Sequence, residues 1–111
     1  MAVYTVSIAA ATAVLGFDMF RDEPWTVSDN DRVITGIAVL GSAAAADSGV
    51  DLLVGQTRVT REYNRTTGYP NMDDVLPLNA AVPAGAKISG PVFDAPATNP
   101  LNVKIVVEDL N

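Results

Sequence analysis

Along the stretch Arg32 to Leu40 apolar side chains fall at both parities, whereas from Leu101 to Glu108 they alternate with polar ones. The contrast predicts where each stretch sits in a sheet. In the first, Val33, Ile34, Thr35, Ile37 and Val39 are β-branched, and such residues fit a pleated strand better than a helix. Ile34, Ala38 and Leu40 on one side and Val33, Ile37 and Val39 on the other predict a strand covered on both faces, central to its sheet. In the second, Leu101, Val103, Ile105 and Val107 are predicted to point inward, and Asn102, Lys104, Val106 and Glu108 outward.

The remaining chain reads as short strands separated by turn formers. From Val3 to Val14 larger even-numbered residues (Tyr4, Val6, Ile8) alternate with smaller odd ones, which favours a strand over the helix that the alanines alone would suggest. Asp22-Glu23-Pro24 breaks regular structure, Trp25-Thr26-Val27 reads as a short strand, and Ser28-Asp29-Asn30-Asp31 as a turn. Val50 to Val54 and Thr57 to Tyr63 flank Gly55-Gln56 and read as a hairpin, its second strand polar on one parity and near a sheet edge. Asn64 to Asp74 is the longest polar stretch and reads as a surface loop. Val75-Leu76-Pro77-Leu78 suits an edge strand, where proline is tolerated. Val82-Pro83-Ala84-Gly85 turns into a strand from Ala86 to Phe93, and a second loop runs from Asp94 to Pro100. About eight short strands with Gly, Pro and Asp between them predict one all-β domain over residues 1–111, an antiparallel β-sandwich of jelly-roll type.

Composition narrows the function mainly by exclusion. Nearly half of the 111 residues are hydrophobic, enough for a single core. A net charge of −6 with scattered acids argues against nucleic-acid binding, which needs clustered Lys and Arg. The chain contains no cysteine and no histidine, so disulfides, thiolate metal sites and histidine-based nucleophilic catalysis are excluded. The apolar run Ile8 to Gly16 has no basic residue before it and is too short to span a bilayer, so neither a secretory leader nor a membrane anchor is expected.

Four groups of residues could carry chemistry. Asp29-Asn30-Asp31 resembles a fragment of a calcium loop, but such runs more often form turns, and no metal or other cofactor is expected. Carboxylate pairs such as Asp73-Asp74 could in principle serve glycosidase chemistry, yet seven aromatic residues give little for a sugar cleft, and the chain is expected not to be an enzyme. Trp25, Tyr63 and Tyr69 could together form a sugar-stacking platform, the alternative reading being an extracellular carbohydrate-binding or adhesive module. Asn64-Arg65-Thr66 matches the glycosylation acceptor pattern.

The short strands from Asp51 to Glu108, the Val82-Pro83-Ala84-Gly85-Ala86 turn into a strand, and the Pro-containing Asp94 to Pro100 loop resemble the small β-sandwich capsid and decoration proteins of double-stranded DNA viruses and phages. The resemblance covers about half the chain. It implies a non-enzymatic virion component, assembled in the host cytoplasm, that binds a major capsid protein or its own copies, commonly as a trimer. The contact residues expected for that role are Val3, Tyr4 and Val6 in the first strand, and Tyr63, Arg65, Tyr69 and Asn71 at the polar loop.

Overall fold

The computed structural model describes residues 2–8, 15–21, 23–41, 48–65, 72–94 and 100–110. Among these residues there are eight strands: β1 (Ala2–Ile8), β2 (Arg32–Gly41), β3 (Gly49–Val54), β4 (Thr57–Tyr63), β5 (Leu76–Val82), β6 (Ile88–Ser89), β7 (Val92–Asp94) and β8 (Leu101–Asp109). They form two antiparallel sheets, one ordered β1-β8-β2-β5 and the other β4-β3-β6 with β7 also paired to β3. The architecture is a small all-β sandwich, as the spacing of the strands predicts. An isolated antiparallel bridge joins Asp18 to Pro91, which lies between β6 and β7.

β2 lies inside its sheet, paired with β8 on one side and β5 on the other. Its two-sided apolar pattern is real, but the assignment of faces needs one correction. An irregularity between Ile34 and Gly36 sets one extra residue of β2 against β8, while against β5 the register shifts the other way, β5 holding the extra residue. Because side-chain direction has period two, the extra residue inverts parity beyond it. Ile34, Ile37 and Val39 therefore share the core face, opposite Val107, Ile105 and Val103 of β8. Ala38 and Leu40 face the other way and are nonetheless buried. β8 keeps its predicted inward set of Leu101, Val103, Ile105 and Val107 within the core. Asn102 and Val106, predicted outward, do point away from the core but are also covered.

The other sheet contributes Val50 and Leu52 of β3, Ile88 and Val92 to the same core, and Met19 and Phe20 close it. Two strands differ from expectation. Trp25 belongs to a 3₁₀ turn, Pro24–Thr26, because proline fixes φ for the first position of such a turn. The predicted strand from Ala86 to Phe93 is divided into β6 and β7 at Gly90-Pro91, where Phe20 packs against the glycine: a Cβ there would lie 2.8 Å from the Phe20 ring. β5 is an edge strand, as the proline at 77 predicts, and it continues to Val82.

Candidate functional site

At one end of the sandwich β1, β2, β8 and the 3₁₀ turn enclose a pocket of about 370 Å³. Its walls include Tyr4, Trp25, Val27, Val107, Arg32 and Asp109. The Trp25 ring lies parallel to Tyr4 at a centroid distance of 4.5 Å and meets Phe20 at 5.0 Å with the planes tilted by 58°. Stacking fixes both rings as a rigid wall. Thr26 Oγ1 donates to the Glu23 carbonyl at 2.8 Å and holds the turn that carries Trp25.

Arg32 opens β2 on the same face as Ile34, and its side chain therefore enters the end of the core. The residue is only 4% exposed. Its Nη1 donates to the Trp25 carbonyl at 2.6 Å and its Nη2 to the Thr26 carbonyl at 3.3 Å, while the buried Nε has no partner. Among the described residues no carboxylate forms an ion pair with Arg32; Asp51 pairs with Arg61 instead. Among the described residues the partners of this buried charge are two carbonyl dipoles.

A second cluster lies on the outer face of the β3-β4 sheet. Arg61 pairs with Asp51 at 2.7 Å, lies 4.2 Å over the Phe93 ring, and Phe93 receives Tyr63 edge-on at 5.0 Å. The Asp51 hydrogen bond raises the Arg61 pKa above its ordinary value. Gly49 is required beneath it, since a Cβ there would sit 2.5 Å from the Phe93 ring.

No protein-family model matches the sequence, and no curated protein is significantly similar to it.

The residues expected to meet a partner fall into separate places. Val3 is 41% exposed on the outer face of the β1-β8-β2-β5 sheet. Tyr4 faces the core side and stacks on Trp25, and Val6 is buried opposite Val103. These two line the interior because they share the parity of Leu101, Val103 and Ile105 across β8. Tyr63 and Arg65 are exposed at the end of β4, with no contact linking them to Val3. Tyr69 and Asn71 lie outside the described residues. Trp25 and Tyr63 do not form one platform: each ring is engaged by different neighbours, Tyr4 and Phe20 for the first, Phe93 for the second.

Several polar residues prove to be structural ties. Asp18 Oδ1 accepts from the Phe20 and Gly90 amides at 2.9 and 2.8 Å, and Asp31 Oδ1 accepts from Ala84 N at 2.8 Å. Asp31 thus joins two loops, and no group of three candidate metal-ligating side chains occurs among the described residues. Asn64 is 1% exposed, and its Nδ2 donates to the Gly41 carbonyl at 2.8 Å. The amide that the glycosylation pattern would modify is therefore enclosed in the folded protein. Arg32 was legible only as the first residue of the central strand, and the one signal for a site was a charge opening an otherwise apolar strand.

Proposed function

We propose that the chain is a non-enzymatic structural subunit that assembles through the free edge of β1, in the manner of a capsid decoration or minor capsid protein. The observation that carries this reading is the edge itself. β1 is seven residues long, has no charge and no proline, and pairs with β8 without a bulge. Among the described residues no strand pairs with its other side. Edge strands of proteins that stay apart are usually blunted by lysine, proline or a bulge, because an open ladder recruits further strands.

Topology supports the same reading. Counting the Asp18 bridge as a strand and β6 with β7 as one, the first strand pairs the last, the last the third, and the third the sixth. The second, seventh, fourth and fifth make up the other sheet. That is the order of a jelly roll, a frame that viral capsid proteins share with lectins and cupins. Fold alone does not fix function, so the partner in this proposal, a capsid subunit or further copies of the chain as a trimer within a virion, rests on analogy.

The test replaces edge residues without touching the core. Val3→Lys with Thr5→Glu places charge on two exposed outward positions, Thr5 being paired with Lys104. The wild-type chain should show an oligomeric mass by light scattering or co-sediment with capsid shells. The double variant should weaken that association by about tenfold or more, equal to about 1.4 kcal/mol, with an unchanged thermal melt. A wild-type chain that stays monomeric up to millimolar concentration and ignores shells would refute the proposal.

A further inference from the structure

The Arg32 pocket is unexplained by assembly through β1, and its charge distribution points to a ligand. A nine-tenths buried guanidinium with no counter-ion among the described residues is costly to retain, and here one of its donors, Nε, is also unmatched. The two carbonyls it does satisfy belong to the turn that presents Trp25. The same residue therefore sets the aromatic wall and supplies the positive charge beside it. Beside that charge the lining is mixed: the Tyr4–Trp25 stack, Val27 and Val107 give an apolar strip, and Ser28 and Asp109 are polar. We propose that this pocket binds a carboxylate carried on an apolar stem, the carboxylate drawn to Arg32 and the stem lying along Trp25 and the two valines.

Arginine suits carboxylates because its planar donors match the two oxygens. Asp109 at the rim is the one described acid lining the pocket, and it makes no ion pair with Arg32. It gives the proposal a sharp rival. If Asp109 turns inward and neutralises Arg32 in solution, the site is closed and needs no ligand. If it stays out, its charge opposes an incoming anion, and removing that charge tightens binding.

Trp25 is the only tryptophan, so its emission reports on this pocket alone. The experiment titrates 3-phenylpropionate into the intact chain, with 3-phenylpropionamide as the uncharged control. The expected result is a saturable change with the acid and none with the amide. Asp109→Asn should tighten binding by about three- to tenfold through loss of one like charge, and Arg32→Gln should abolish it. A short peptide ending in a free phenylalanine carboxylate, compared with its amide, tells a chain end from a small acid. Saturation by either carboxylate alone supports the site. Equal responses to acid and amide would reduce it to an apolar crevice and overturn the proposal. So would no response from wild type together with a lowered melting temperature for Asp109→Asn, which would mark Asp109 as the counter-ion. Should Arg32→Gln fail to fold, the acid–amide comparison and Asp109→Asn still decide.

Discussion

Asn64→Ala removes one side chain at the seam between the sheets and should cost far more than its place after a strand suggests. Oδ1 of Asn64 accepts from Ser48 N at 3.0 Å and Ser48 Oγ at 3.3 Å, and Nδ2 donates to the Gly41 carbonyl at 2.8 Å. These bonds tie the end of β2 to the start of β3 and the end of β4. The backbone continues the link, with Asn64 N donating to Ser48 O and Arg65 N to Val39 O, both at 2.9 Å. Alanine would leave the backbone bonds and orphan two buried groups, the Ser48 amide and the Gly41 carbonyl. The serine hydroxyl can rotate to another acceptor and is discounted.

Each orphaned buried group costs about 1–3 kcal/mol, so about 3 kcal/mol in total is expected after partial entry of water. At about 2.1 cal/mol/K per residue of unfolding entropy, a chain of 111 residues loses about 4 °C per kcal/mol, or about 12 °C here. Urea melts followed by circular dichroism give both the midpoint and the slope, and the slope should not change. Asn79→Ala on exposed β5 is the control and should lie within about 0.5 kcal/mol of wild type. If Asn64→Ala costs less than about 1 kcal/mol at an unchanged slope, the seam does not depend on this amide.

Four further outcomes follow from the same packing. Ile37→Ala, at a fully buried core position, should cost about 2–5 kcal/mol in the same melts. Gly41→Ala should destabilise by more than Gly-to-Ala changes at exposed positions, because Gly41 is buried, φ is +118° and a Cβ would meet the Pro100 carbonyl oxygen at 2.2 Å. Excess EDTA should leave the melting temperature unchanged, and a loss restored by calcium would make Asp29 and Asp31 ligands. Asp51→Asn should cost little, as exposed pairs do. Because the Arg61 pKa is raised, the pair's contribution is complete below the unfolded-state arginine value and is lost only as pH rises through the folded one. The difference between Asp51→Asn and wild type should therefore stay flat from neutral to mildly alkaline pH.

Most strands were legible because burial has period two and their patterns are long enough to declare it. β8 places an apolar residue at every second position from Leu101 to Val107, and β2 is apolar on both faces with neighbours on both sides. What the patterns hide are single-residue insertions and backbone contacts across the chain. The Thr35 bulge inverts the parity of Ile37 and Val39, and apolar residues on both sides of it look alike whichever way they point. Gly90 divides one predicted strand for the sake of the Phe20 ring, a contact between residues seventy positions apart in sequence. Trp25 follows proline, and the local signal for a 3₁₀ turn was weaker than the β propensity of Trp-Thr-Val.

The pocket was less legible still, and the reason lies in how a charge at the end of a strand is read. An arginine before an apolar run is ordinarily the solvated start of a strand, its stem covering the edge and its head in water. Arg32 has strands on both sides, with Val82 and Asp109 as its register partners. Its core-facing parity sends the head group inward to the carbonyls of a turn only seven residues earlier. Neither the pairing nor the position of that turn can be read from spacing. The described members of the expected contact set lie apart for a related reason: Tyr4 and Val6 are apolar in a terminal strand, which reads equally as a sticky arm or as a paired edge. Pairing with β8 resolves this, since it buries Val6, fixes Tyr4 against Trp25 and leaves Val3 outside. Deleting the strand would therefore damage the sheet and the pocket together. Assembly at β1 is better probed by charge on its outward residues than by truncation, because only the former leaves the Arg32 site in place to be tested independently.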